Sequence, residues 1–349
     1  MIDTYRRHLL LTAAGTATAG LALPIAATPA RPSSAAAAST NGWTYVAPGE
    51  SIQAAIEAGA KAIQLGSGTY AIRQPIIPDN GCTIRGVGQS TRLLATANLP
   101  AMIAVGAGLP VDGVNLSDFV LDCDGKAQVG VHFNIVGTTG NYQGEPDAVC
   151  RVDNLLVYDA ALDGMVYAGT DTQGCVTTRV RVRRAKRHGF NVLGPDNWFT
   201  DCEATTSSNA GAGFYIGTAN CFFTACKAWY CRGYGFHIKG TRNKLLGCEA
   251  QDIANHGFFV EYGNNLLNSC VADTCSFKDV GGTSNVADGF YVKYDAALSL
   301  VGCQSFDRRP GGGAAQQRYG FNVPKAMVNE GRLVAPTGWN NVSGLVFAR

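Results

Sequence analysis

The chain has 349 residues, with 28 Lys and Arg against 26 Asp and Glu and a formal net charge of +2. So even a balance argues against nucleic acid or a charged membrane surface as the main partner. The 46% hydrophobic content is that of a folded protein, and the counts that stand out are 43 glycines and 12 cysteines.

The N-terminal 41 residues read as a twin-arginine-type export signal and linker: Arg6 and Arg7, then an apolar, alanine-rich run to about Ala27, then a Ser/Ala/Pro tract to Ser39. A secreted or extracellular protein is therefore expected. Pro24 and the small residues weaken the run as a membrane anchor, and no later apolar stretch is long enough to span a bilayer. No stable membrane insertion is expected after signal removal. Residues 42–349 read as one domain. A short helix is expected at Ser51–Ala58, with Ser51 as N-cap, Ile52, Ala55 and Ile56 as an apolar stripe, and Gly59 beyond its end. Its place is the open N-terminal end of the fold.

From Gly130 onward one phrase recurs, a glycine followed by an alternating segment, at Gly130, Gly164, Gly189, Gly213, Gly235, Gly257, Gly289 and Gly320. The central intervals are 25, 24, 22 and 22 residues. Within it Phe214 and Ile216, Phe236 and Ile238, Phe258 and Val260, and Phe290 and Val292 alternate with polar positions, the pattern of a strand with one buried face. Two further rows run in step. Asn197, Asn220, Asn243 and Asn265 predict stacked turn residues. Cys202, Cys226, Cys248, Cys270 and Cys303 predict an inward row of small apolar side chains. Cys221, Cys231 and Cys275 fall outside that row and are the better disulfide candidates. A unit of this length cannot bury its own apolar face and must stack on its neighbours. The expected fold is all-β: a single-stranded right-handed parallel β-helix of about ten coils. The leucine-rich pattern of the alternative solenoid is missing.

The stretch from about Trp43 onward resembles the pectate-lyase-like right-handed β-helix superfamily. The resemblance rests on the glycine phrase, on the entry segment Pro48–Ile56, on Gly66–Tyr70 and Gly86–Gly88, and on the turn Leu121–Gly125. It implies a carbohydrate-active protein whose partner is a polysaccharide or oligosaccharide. The narrower signatures are absent. Of the Asn-Thr-Asp, Asp-Asp and Gly-His-Gly motifs of polygalacturonases, only the last is faintly echoed, at Arg187–Gly189 and Asn255–Gly257. The Asp-Pro-His motif of alginate epimerases and the acidic calcium cluster of pectate lyases are missing.

The outward positions of the glycine strand carry the candidate chemistry. They include Asn191, Tyr215, His237, Phe259 and Tyr291, then Lys239, Glu261 and Lys293, with His188, Tyr234, His256 and Asp288 just before their glycines. All four histidines of the exported chain, His132 included, fall in this sheet. Aromatic rings offer flat faces to sugars, and His, Lys and Glu supply proton-transfer groups. One expectation is a polysaccharide lyase or C5-epimerase acting on a uronate glycan, with His237 or Lys239 as base, Tyr291 or His256 as acid, and Lys293 or Lys239 neutralising the carboxylate. Another is a glycoside hydrolase or transglycosylase using Glu261 and Asp288. A third is a glycan-binding module without catalysis. Tyr215, Phe259, Asn191, His188 and Tyr234, with Arg308 and Arg309 from a long insertion, are expected to bind substrate. The insertions at Cys275–Ala287 and Phe306–Arg318 are expected to wall the face. The arginine-rich run 179–187 reads as a solvated face. No metal centre and no cofactor are expected. Asp122 and Asp124 are where a divalent cation such as calcium would bind, though such a pair more often only makes a turn.

Overall fold

A computed structural model describes residues 39–107, 110–136, 149–294, 297–308 and 313–349. Residues 1–38, most of the expected export signal and linker, and Arg309 lie outside the described residues. Ten strands, from Leu99–Val105 to Gly344–Ala348, form one sheet in which each strand pairs parallel with the next coil's. A 21-stranded sheet supplies the other sides. From Arg181 onward it runs as two parallel ladders. One passes through Phe222–Thr224 and Lys244–Leu246, the other through Lys227–Cys231 and Glu249–Ile253. Asn115–Asp122 and Arg151–Tyr158 are long enough to pair along much of their length. The molecule is an all-β right-handed parallel solenoid with three-sided coils.

The inward half of the glycine phrase builds the core. Phe190, Phe214, Phe236, Phe258, Phe290 and Phe321 are in register and fully buried. Their rings stack at 4.7, 4.8, 4.8, 4.6 and 4.8 Å, the spacing of the strands themselves. The glycines are there for room. A Cβ at Gly235 would lie 2.5 Å from the Gly257 carbonyl oxygen and 2.8 Å from the Ala250 Cβ. Two sides of the coil pinch together at that point. We expect Gly235→Ala to lower unfolding stability by roughly 1–3 kcal/mol, as overpacking does, read as a lower urea midpoint at unchanged slope.

All twelve cysteines are buried and free. Cys248 Sγ sits 3.4 Å from the Phe223 carbonyl and Cys270 Sγ 3.4 Å from that of Leu245, so each thiol is turned toward the preceding coil's backbone. The expectation of disulfides at Cys221, Cys231 and Cys275 is therefore corrected: these three also point into the core. Burial pushes the Cys202 and Cys226 thiols well above their usual range, which removes the reactive thiolate. A thiol reagent should find none of the twelve in the folded protein and all of them once it is unfolded; fast reaction in the folded state would contradict this packing.

The asparagine row needs a second correction. The buried row reads Asn197, Cys221, Asn243, Asn265. Asn243 Oδ1 accepts from the Cys221 amide at 2.9 Å, and Asn265 Oδ1 accepts from the Asn243 amide at 2.8 Å. Asn220 lies one residue earlier, in the left-handed row with Asp196, Arg242 and Asn264. A period of 22 to 24 residues blurs two adjacent rows into one.

The end cap is a helix over Ile52–Glu57, with Ser51 Oγ accepting from the Ala54 amide at 3.1 Å and Ile52 and Ile56 buried. Among the described residues no helix is long and apolar enough to cross a membrane. Asp122 accepts from the Asp124 amide at 3.1 Å and pairs with Arg92, and Asp124 pairs with Lys126 at 2.6 Å. Both carboxylates are engaged in building the turn.

Candidate active face

The outward row of the ten-stranded sheet runs, in register, Asn191, Tyr215, His237, Phe259, Tyr291, Asn322. At its centre His237 Nε2 is 2.8 Å from Glu261 Oε1, and Glu261 Oε2 is 3.5 Å from Lys293 Nζ. Burial, helped by the cations of Lys239 and Lys293, draws the His237 imidazole below its usual range despite Glu261. Burial alone would raise Glu261, but the His237 hydrogen bond and Lys293 outweigh it and hold the carboxyl below its usual value. Near neutral pH the pair is thus an ionised carboxylate and a neutral imidazole. A carboxylate only accepts, so Nε2 carries the proton and Nδ1 keeps its lone pair. Lys239, two residues after His237, is exposed and has no ion-pair partner among the described residues.

Rings frame this group. Tyr215 meets His237 edge-on at 5.1 Å, Phe259 lies 4.8 Å from it on the other side, and Tyr234 stacks on Phe259 at 4.9 Å. Tyr291 is held between His256, stacked at 4.6 Å, and the Arg349 guanidinium, 4.9 Å from its centroid.

The four histidines do not share a role. His188 Nδ1 accepts from the Ala212 amide at 3.1 Å, and His256 Nδ1 from the Asp288 amide at 2.9 Å. Burial pushes both down to about 4. Each is a neutral ring that ties one coil to the next and supports a tyrosine, Tyr215 or Tyr291. A neutral imidazole is a poor proton donor, so His256 does not suit the acid. His132 Nε2 is buried without a hydrogen-bond partner among the described residues. His237 is the histidine paired with an ionised carboxylate near the surface.

Asp288 is likewise removed from direct chemistry. It is fully buried and accepts from Arg318 at 2.8 and 2.7 Å, the Tyr319 amide at 3.1 Å and Asn322 Nδ2 at 2.9 Å. The same bracket occurs earlier. Asp163 accepts from Arg187 Nε at 2.8 Å, the His188 amide at 3.0 Å and Asn191 Nδ2 at 2.9 Å. Two Asp–Arg–Asn brackets, their Asp and Asn buried and their Arg partly exposed, therefore close the two ends of the row, and Asn191 belongs to one of them. Asp163, Arg187 and Arg318 had no place among the expected site residues. The signal was present: Asp-Gly, followed one coil later by Arg-x-Gly-Phe-Asn-Val, occurs at 163–192 and again at 288–323.

The insertions meet at the strand-entry edge of this sheet. Gln316 accepts from the Lys278 amide at 3.0 Å and from the Asn285 amide at 2.6 Å. Arg308 turns to a neighbouring face and pairs with Asp273 at 3.4 Å, away from His237. The arginine run is compensated residue by residue: Arg179 by Asp153, Arg181 by Asp201, Arg183 by Glu203, Arg184 by Asp159 and Arg187 by Asp163. Two concavities, one beside the end cap and one beside Arg179, Arg181 and Arg183, are lined by residues of other faces.

A family model described as the right handed beta helix region matches residues 139–305. No curated protein matches the chain. Among solved structures it is similar to the A-module of the Azotobacter vinelandii mannuronan C-5 epimerase AlgE4, at 14% identity and TM-score 0.56, covering 85% of this chain and 91% of that one. It is also similar to the catalytic domain of a GH87 α-1,3-glucanase solved with nigerose, at 13% identity and TM-score 0.53, covering 87% of this chain and 66% of that one. A third is the tailspike of Escherichia coli bacteriophage HK620 solved with a pentasaccharide, at 11% identity and TM-score 0.58, covering 78% and 55%. At such identities the likeness is one of fold. The chain has the right-handed parallel β-helix fold, and residues 139–305 match the family model for that region, with no narrower subfamily distinguished.

Proposed function

We propose that this chain is a secreted polysaccharide lyase, or the closely related C5-epimerase, acting on a uronate-containing glycan at the outward face of the ten-stranded sheet. The observation that carries it is the His237–Glu261 hydrogen bond at 2.8 Å, set among Tyr215, Phe259 and Tyr291 with Lys239 beside it. The similar epimerase module, and the glucanase and tailspike solved with sugars, support a glycan as the partner.

The disposition of charge supports an anionic glycan. The Asp163 and Asp288 side chains are 0% exposed, whereas those of Arg187, Arg318 and Lys293 are 38%, 30% and 38% exposed. Carboxylates turn in and cations turn out. In the reaction, His237 Nδ1 takes the proton from C5 while Lys239 neutralises the uronate carboxylate. The electron pair forms the C4–C5 double bond, the C4–O bond breaks, and the Tyr291 phenol protonates the leaving oxygen. Glu261 stabilises the imidazolium that forms, and Lys293 keeps Glu261 in place. Epimerisation needs the same base, with C5 reprotonated from the opposite face. Hydrolysis by paired carboxylates is the weaker reading, because Asp288 has no open position left for a water or a leaving group.

The test is incubation with polygalacturonate, alginate and hyaluronan. Ultraviolet absorbance of an unsaturated uronate supports elimination, and a changed C5 configuration without chain cleavage supports epimerisation. New reducing ends without absorbance would mean hydrolysis. Binding without any product would reduce the face to a binding module.

A further inference from the structure

Tyr262 and Tyr294 follow Glu261 and Lys293 just past the strands Phe258–Val260 and Phe290–Val292 and have no part in the proposed mechanism. They are 47% and 49% exposed. Their ring centroids are 6.0 Å apart with planes 42° from each other. Lys293 Nζ lies 5.0 Å from the Tyr294 centroid and 3.5 Å from Glu261, so it bridges this pair to the catalytic group.

A stabilising aromatic ladder would continue from coil to coil, as the phenylalanines of the core do. This row does not. Its positions read Gly194, Thr218, Gly240, Tyr262, Tyr294, Lys325. Small residues in the preceding coils leave the approach to the Tyr262 ring open. Single exposed aromatics need no explanation, but two adjacent rings, one of them under a cation that also pairs with Glu261, do. The row stands three residues beyond that of His237 and Phe259, in the bend that follows each strand.

Resting on the lyase or epimerase reading, we propose that Tyr262 and Tyr294 form a second sugar platform. It takes a neighbouring pyranose of the same anionic glycan, with the apolar ring face on the tyrosines and its carboxylate toward Lys293. The platform positions the chain and sets how many sugars must be bound for efficient turnover.

The experiment compares the wild type, the double variant Tyr262→Ala/Tyr294→Ala and the double variant Tyr262→Phe/Tyr294→Phe. Affinity is read by gel retardation in the uronate polymer that the wild type binds, alongside KM and kcat. The alanine pair should weaken affinity and raise KM about tenfold with a much smaller change in kcat, while the phenylalanine pair keeps wild-type affinity, because the ring face does the binding. Circular dichroism confirms that both fold. Unchanged affinity in the alanine pair overturns the platform, as does equal weakening in both pairs or a wild type that binds none of the polymers. Affinity that depends on the tyrosines in a wild type without turnover would sink the lyase and epimerase reading and still support the platform.

Discussion

Replacing His237 by alanine is expected to lower turnover of the cognate uronate polymer by about 10²–10⁴-fold, the usual contribution of a positioned general base. Binding should survive, because the rings of Tyr215, Phe259 and Tyr291 are untouched. Glu261→Gln should also lower kcat, since the amide still accepts from Nε2 but no longer stabilises an imidazolium. The pH profile checks the assignment. A base works in its neutral form, and burial holds His237 below the ordinary imidazole value of about 6.5. The acidic limb of kcat/KM should therefore fall off below that value, with activity full above it. His256→Gln is the contrast. It keeps a side-chain acceptor for the Asp288 amide and should act through stability rather than through that limb. A His237→Ala variant with wild-type kcat would remove the proposed mechanism.

The second large effect concerns stability. Asp163→Ala should cost about 3 kcal/mol, the lower end for breaking a buried ion pair, because Arg187 is partly solvated. The loss also strands the His188 amide and Asn191 Nδ2. The bracket further predicts acid sensitivity in two stages. His188 is held down to about 4 by burial, so the unfolded chain takes up a proton near 6.5 and the folded one only near 4. Stability is full above that window and falls as pH drops through it. Burial alone would raise the Asp163 carboxyl, but Arg187, Asn191 and the His188 amide outweigh it and the net shift is downward. Its contribution is present above the ordinary carboxylate value and is lost as pH falls through the lower folded value. Thermal melts of wild type and Asp163→Ala between pH 7 and pH 3 are the measurement. Curves that run parallel down to the most acidic point would show that the bracket does not titrate with folding.

The two corrections inside the fold share a cause. Asn220 and Cys221 are adjacent, and a repeat counted to the nearest residue cannot tell which of them occupies the buried row; the hydrogen bond from the Cys221 amide to Asn243 decides it. Likewise Cys221, Cys231 and Cys275 look unpaired beside the regular cysteine row, yet each occupies an inward slot of its own. Spacing identifies a row, and only backbone direction at the turn says which way each side chain points.

The sequence by itself determined the solenoid: a glycine phrase recurring every 22 to 25 residues in the central repeats and every 31 to 34 at the flanks, with an inward Phe and Ile or Val, has one economical solution, in-register stacking that buries those side chains. It also determined which sheet carries His237, Glu261 and Tyr291, because the outward side of a strand follows from period two. Tertiary structure alone decided which of these residues have work left to do. Asp288, His188 and His256 sit beside the right glycines, but the Asp288 carboxylate is taken up by Arg318, the Tyr319 amide and Asn322, and the Nδ1 lone pair of each histidine by an amide of the next coil. His237 faces a carboxylate that leaves Nδ1 unprotonated. Partners 24 to 34 residues away set the charge state and the free valence of each group, and those depend on burial and on hydrogen bonds between coils rather than on the local pattern.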